Sequence, residues 1–432
     1  MAILLRSRTK GRPLNDTNES TGAPPPIPQA GPTLGRSRID SLDVLRGFAL
    51  MGILIMNIQS FSMPSDAYFS PNVYGNLEGA NALIWVLGYI FVDMKFMAMF
   101  SMLFGAGVVL MSQHRDAAGA PVVALHYRRM ALLLTFGLIH AYVIWHGDIL
   151  VSYAICGMAV FWVRKWPVRR MLICGAVLIA FGSWIYMLGG ISVMASEDFA
   201  EQFRSDFEMT AVEIEEELAA FRGGWMDHLP IRAYEAAGLQ TFVLPLMFFW
   251  RVSGLMLIGM AMFKSGVLSV QRSTRFYIWM AVLGGGLGIP LSAGGAYWAW
   301  LMEFDGAHMF TFGALPNWYG SVGVALMWIA LMMLFVRMPI LGGVKSVLGA
   351  YGRTAFTNYI GQSVLATFVF YGYGLGWFGS LERTGQVGVV AAIWALQLTI
   401  SPIWLRYFKF GPLEWVWRSG VYKQLQPMLR RA

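Results

Sequence analysis

Apolar residues in this chain fall in long unbroken runs separated by short polar stretches. Ten such runs lie at about 44–62, 82–112, 127–145, 148–163, 168–190, 238–263, 275–300, 317–336, 347–373 and 385–405. About 20 apolar residues carry a helix through roughly 30 Å of hydrocarbon. With no water there to bond the backbone, runs of this kind predict α-helices. The second run is the longest, and Asp93 and Lys95 mark where it is bent or partly interfacial. The third and fourth join through His146-Gly147-Asp148, which predicts a tight hairpin.

The polar remainder divides the chain. Residues 1–38 are polar and Pro/Gly-rich, with Pro24-Pro25-Pro26, and are expected to be a disordered cytoplasmic tail without a cleavable signal. Residues 39–190 hold five runs, 238–410 the other five, and 411–432 form an amphipathic cytoplasmic tail. The connector 191–237 carries Glu213 and Glu215-Glu216-Glu217. It also has Phe203, Phe207, Val212, Ile214, Leu218 and Phe221 at helical spacing. This predicts one or two amphipathic helices over the outer face, either a solvated connector or a lid above an external substrate site.

Charge sets the orientation. Lys and Arg gather in alternate connections, at Arg128-Arg129, Arg164-Lys165, Arg169-Arg170 and Lys264, while the intervening ones are acidic or neutral. Positive charge stays on the cytoplasmic side, so an even number of spans with both termini inside is expected. The chain is 57% hydrophobic and 13% charged, against about 25% charged for a soluble domain. The reading is an all-α integral membrane protein of about ten transmembrane helices. The net charge of +8 is dispersed between apolar runs, so no nucleic-acid partner is expected. Cys156 and Cys174 both lie in apolar runs, which excludes a disulfide framework or a Cys-based zinc site. No phosphate-cradling loop, HExxH or GxSxG occurs.

Ionisable side chains in lipid are expensive and tend to mark function. Arg46, Asp93, Lys95, Arg251 and Arg353 fall in or beside the runs, accompanied by Asn57, His140, Asn358 and Gln362. Arg46 and Asn57 are eleven residues apart, close to three helical turns, so they share a face about 16 Å apart. Such a face offers an anion anchor inside and a hydrogen-bonding amide farther out. Alternatively, Arg46 snorkels to the headgroups and Asn57 bridges helices. His140 has His146 and Asp148 within eight residues. Imidazole is a general base near neutral pH. The competing readings are a plain interhelical hydrogen bond or a metal site, and the spacing is too weak for a metal to be expected.

Several stretches together resemble a known family. Leu42-Asp43-Val44-Leu45-Arg46-Gly47-Phe48-Ala49-Leu50 looks like the first-span signature of transmembrane acyltransferases. Phe100 to Gly105, and His146-Gly147-Asp148-Ile149-Leu150 with Tyr153-Ala154, look like the YeiB-like branch. The segments from Gly352 to Tyr359 and from Gly411 to Arg418 look like its carboxy-terminal domain of unknown function 418. The resemblance runs from residue 39 onward. It implies an acyltransferase-like bundle in a bacterial cytoplasmic (inner) membrane, in a superfamily that includes heparan-alpha-glucosaminide N-acetyltransferase. Such enzymes take acyl groups from acyl-CoA inside and deliver them to glycan or lipid acceptors outside. Sugar O-acyltransferases of the superfamily place a catalytic His where this chain has Asn57, and no His follows before His114. An amide cannot act as a general base.

The implied roles are then as follows. Arg46, with Arg353, Asn358, Lys95 and Arg251, holds acyl-CoA (acetyl-CoA) or lines its cavity, and Arg251 pairs with Asp93. Asn57 orients the acyl carbonyl. His140, or else Asp148 or His146, takes the acceptor proton. The expected partners are membrane lipids, acyl-CoA and an extracytoplasmic glycan or lipid, with a homodimer admitted. The competing reading is a transporter or a lipid- or anion-binding protein of the same fold without acyl transfer.

Overall fold

A computed structural model describes residues 40–117, 121–309 and 311–430. The expected tail at 1–38 lies outside the described residues. The helices are α1 (Asp40–Ser62), α2 (Gly79–Phe91), α3 (Lys95–Ala117), α4 (Val123–Ile139), α5 (Leu150–Val160) and α6 (Val168–Ala195), then α7 (Glu197–Phe207), α8 (Ala211–Arg222), α9 (Leu229–Gly238) and α10 (Phe249–Lys264). They continue with α11 (Thr274–Leu301), α12 (Gly306–Met309), α13 (Ala314–Arg337), α14 (Gly342–Arg353), α15 (Ala355–Phe370), α16 (Arg383–Tyr407) and α17 (Pro412–Tyr422). Among the described residues no strand forms, and a single antiparallel bridge joins Phe408 to Leu429.

Seven helical stretches are long and apolar enough to cross a bilayer. They are Asp40–Ser62, Gly79–Gln113, Val168–Ala195, Leu229–Lys264, Thr274–Leu301, Ala314–Arg337 and Arg383–Tyr407. This is the build of an integral membrane protein. The remaining expected runs are shorter elements. Helix α4 has 17 residues and α5 has 11. The run at 347–373 is broken at Thr354 into α14 and α15.

That break has a visible cause. A Cβ on Gly352 would lie 1.9 Å from the Asp43 carbonyl oxygen and 2.7 Å from the Gly47 nitrogen. A Cβ on Gly47 would lie 2.3 Å from the Leu348 oxygen. Helices α1 and α14 therefore cross in backbone contact, as small residues permit in membranes. Helix α15 then starts afresh, and its free N–H groups need acceptors. Glu414 on α17 supplies them, accepting from the Phe356 nitrogen at 2.7 Å, the Thr357 nitrogen at 3.1 Å and the Thr357 hydroxyl at 2.5 Å. A second close crossing joins α3 and α10, where a Cβ on Gly105 would lie 2.0 Å from the Met256 oxygen and one on Gly259 1.9 Å from the Met102 oxygen.

The connector 191–237 is helical. A capping box at Thr210 and Glu213 starts α8. Phe221 at its end stacks between His228 (4.9 Å) and Phe378 (4.6 Å), and its carbonyl accepts the Gly372 N–H at 2.8 Å. Glu217 turns inward, only 3% exposed, and accepts hydrogen bonds from the Ser65 backbone and hydroxyl. Helix α17 folds back on the bundle: the Val421 carbonyl accepts Arg128 Nη1 at 2.7 Å, and Arg129 lies over the Trp417 ring.

Candidate functional site

Helix α4 ends in a turn that is wound wide. Residues His140–Ile144 are π-helical, and the His140 carbonyl accepts from the Trp145 nitrogen at 2.8 Å. Single π turns recur at functional sites because they re-aim side chains. Here the turn is followed by an extended Trp145 and the short His146-Gly147-Asp148 corner before α5. The corner folds back against α4 at Gly137, where a Cβ would lie 2.7 Å from the Val151 nitrogen and 3.0 Å from Asp148 Oδ1.

The result is a line of three buried side chains. Asp148 Oδ1 accepts the Val151 N–H at 2.8 Å, and its Oδ2 lies 2.7 Å from His140 Nδ1. On the far side of the ring, His140 Nε2 lies 2.9 Å from the Ser363 hydroxyl on α15. His140 is 0% and Ser363 1% exposed. A carboxylate only accepts, so Nδ1 carries the proton and Nε2 is left as an acceptor for the Ser363 O–H. This is the polarity of a base oriented by an acid and poised on a hydroxyl. Two further polar side chains adjoin the ring. They are Tyr359, whose ring is 5.2 Å from that of His140, and Trp145 at 6.1 Å, whose indole nitrogen has no partner among the described residues. His146 is buried next to them with Nδ1 unpartnered. Burial first, then the neighbouring Arg232, pushes the His146 imidazole down to about 4.

The first helix ties this site to the opposite end of the bundle. Phe61 stacks on Trp145 at 4.0 Å. Asn57 lies one turn earlier, half-buried, and makes no hydrogen bond among the described residues. Arg46 lies about 22 Å below Phe61 at 1.5 Å per residue. Its Nη1 meets Asp43 at 3.0 Å, and its side chain stays 31% exposed. Arg46 and Arg353 each adjoin a glycine of the α1–α14 crossing. Arg129 lies within electrostatic reach of Arg46. Two of the stretches that carry the resemblance, around Gly47 and Gly352, therefore meet in space, and Glu414 of another, from Gly411 to Arg418, anchors the one around Gly352.

Other sequence-predicted residues are placed apart from the histidine. Asn358 donates to Ser401 at 2.9 Å, to the Thr354 hydroxyl at 2.9 Å and to the Tyr351 carbonyl. Gln362 donates to the Leu50 carbonyl and to Tyr351. These amides lock α15 to α1, α14 and α16. Arg251 does not pair directly with Asp93. Its guanidinium donates to the Trp318 carbonyl at 2.8 Å and Ser321 at 2.6 Å, and stacks on the Trp318 ring. Asp93 instead accepts from Tyr68 at 2.6 Å and from Asn317 at 2.8 Å, and Lys95 donates to the Asn317 oxygen and the Tyr89 carbonyl. Asn317 thus separates the two charges. An open cavity of about 470 Å³ between loops, lined by Ser70, Asn72, Glu208, Glu303 and Asp305, contains none of the sequence-predicted site residues.

Ser363, Tyr359 and Trp145 escaped the sequence reading. The available signal was their position. Ser363 and Tyr359 are four residues apart on the run that holds Asn358 and Gln362, and Trp145 adjoins His146.

An all-helical membrane protein with a buried acid–imidazole–hydroxyl line near one end of its bundle is the class that fold and site define. Residues 262–424 match the family described as protein of unknown function (DUF418). The chain is 30% identical over 417 residues to the uncharacterized protein YxaH of Bacillus subtilis (strain 168), covering 93% of this chain and 98% of that protein. It is 29% identical over 397 residues to the uncharacterized protein YeiB of Escherichia coli (strain K12), covering 90% and 98%. It is 28% identical over 404 residues to an uncharacterized 39.9 kDa protein of Bacillus acidopullulyticus, covering 91% and 96%. The chain belongs to this YeiB-like, DUF418 family.

Proposed function

We propose that the protein is a transmembrane acyltransferase that moves an acyl group, such as acetyl, from cytoplasmic acyl-CoA to an extracytoplasmic hydroxyl or amine on a glycan or lipid. The observation that carries this reading is the buried Asp148–His140–Ser363 line, with Nε2 of His140 left as an acceptor. In the proposed step His140 Nε2 takes the acceptor's proton while its oxygen or nitrogen bonds the acyl carbon. The thioester C–S bond breaks and the CoA sulfur leaves as thiolate, which is reprotonated by way of the imidazolium. Asp148 holds the ring and stabilises its charged form. The Tyr359 O–H and the unpaired Trp145 N–H supply donors near the developing oxyanion. Arg46 binds the CoA phosphates at the inner face, where charge-assisted bonds are strongest for a guanidinium. The accompanying topology has ten crossings, with α4, α5 and α15 completing the seven long spans, and both termini in the cytoplasm of a bacterium.

The test uses purified protein. Acetyl-CoA should raise the unfolding temperature, and Arg46→Ala should remove that shift. His140→Ala should keep the shift and abolish acyl transfer to an acceptor, read as release of free CoA thiol. Full transfer by His140→Ala, or no stabilisation at millimolar acetyl-CoA, overturns the proposal. A second reading, ion-coupled transport, is favoured by the Asp93–Asn317–Lys95 network buried among α3 and α13. Solute uptake by proteoliposomes without acyl-CoA would select it.

A further inference from the structure

A second polar cluster lies beside His140, and several of its polar atoms lack partners among the described residues. Arg232, in the first turns of α9, is 0% exposed. Its Nε donates to the Tyr142 carbonyl at 3.1 Å, its Nη1 lies 3.3 Å from His228 Nδ1, and its plane stacks on Trp225. Nη2 bonds nothing, and among the described residues no carboxylate lies within ion-pair distance of Arg232. His228 is likewise 0% exposed with Nε2 unpartnered, and it packs against the Tyr371 ring at 4.9 Å. Tyr371, 0% exposed, has an unbonded hydroxyl, and His146 an unbonded Nδ1. Two acids approach the cluster: Asp227 acts on His228 and Glu217 on Tyr371. A buried guanidinium without a counter-charge is strongly disfavoured. Here it is held by a carbonyl and an imidazole with one edge left open.

We propose that His146, His228, Arg232 and Tyr371 form an oxyanion subsite beside His140 that takes a phosphate or carboxylate group of the acyl acceptor. A planar guanidinium with hydroxyl and imidazole donors around it matches the several oxygens of such a group. His146 adjoins both clusters, so a ligand bound here brings its neighbouring hydroxyl toward His140. The word acceptor rests on the transfer reading, whereas the anion site itself does not.

The test reads binding alone, in the absence of acyl-CoA. The full chain in dodecyl maltoside is unfolded thermally against sodium phosphate, sodium glucuronate and phosphatidylglycerol-doped micelles, with chloride at matched ionic strength as reference. The expected result is saturable stabilisation by at least one oxyanion. Its apparent Kd should rise at least about tenfold in Arg232→Gln, as loss of a charge-assisted hydrogen bond implies. Response to the soluble anions identifies a soluble or glycan acid, and response to the lipid alone identifies a headgroup. Tyr371→Phe and His146→Gln each remove one donor and serve if Arg232→Gln does not fold. The proposal fails if no oxyanion outperforms chloride, or if the variants bind as the wild type does. An anion effect that survives when acetyl-CoA gives none would sink the transfer reading and leave this one standing.

Discussion

Glu217 permits a quantitative test of how the connector helices are held. It lies on α8, outside the spans, almost fully buried against the turn at Ser65. Burial pushes its carboxyl up from 4.5 to about 7, against the Ser65 backbone hydrogen bond, with Glu235 and Asp66 adding repulsion. The folded state thus holds a proton that the unfolded chain has released above its ordinary value. Stability from this group is complete below about 4.5, falls as pH rises, and is lost by about 7. At about 1.4 kcal/mol per unit the loss amounts to about 3 kcal/mol. Glu217→Gln removes the titration and retains an acceptor for the Ser65 N–H. Thermal unfolding in detergent from pH 5 to 8 should show a falling midpoint for the wild type. For the variant the slope should be reduced, and it should be more stable than wild type at pH 8. Parallel pH curves for the two proteins would refute the assignment of the buried proton to Glu217.

Four further outcomes follow from the site and its supports. Asp148→Asn should lower transfer by roughly 10³- to 10⁴-fold, as loss of an orienting carboxylate does in comparable arrangements, with acetyl-CoA binding unchanged in a thermal-shift assay. Ser363→Ala should leave transfer largely intact, because the proposed step passes the acyl group directly to the acceptor. An acyl group found on Ser363 by mass spectrometry of acid-quenched protein would refute that step. Gly137→Val should displace Asp148, because even a Cβ would lie 3.0 Å from Oδ1, and activity should fall further than the about 1–3 kcal/mol of overpacking explains. Gly352→Ala should lower thermal stability by a similar amount or more, read as a shift in midpoint.

Much of the helical layout was legible because hydrocarbon allows few alternatives. His140 and Asp148 were legible as a pair because a hairpin of eight residues brings them together. Ser363 was not, since its partner is 223 positions away and no local motif marks it. Arg232 and His228 were missed for a different reason: the connector 191–237 was read as aqueous, where an arginine needs no partner. Arg251 does not pair directly with Asp93, because the Trp318 carbonyl and the Ser321 hydroxyl take up its two terminal nitrogens instead. The sequence reading puts Asn358 in the cavity lining and names Gln362 as a polar residue beside it. Their amide groups are consumed in helix-to-helix bonds, which polarity along a sequence does not distinguish from a binding role. The break at Thr354 required knowing that Gly47 and Gly352 touch.

That contact also constrains the order in which the molecule is built. The groove that receives Gly47 belongs to α14, which leaves the ribosome about 300 residues later. At about 5–20 residues per second this takes roughly 15–60 s. Through that interval the first helix is in the membrane with a small-residue face and a buried-to-be carbonyl, and nothing of its own chain to cover them. Either the insertion machinery holds it, or lipid does. A chain cut short before residue 342 should therefore expose that face permanently, and be cleared by membrane proteolysis rather than persist as a half-bundle.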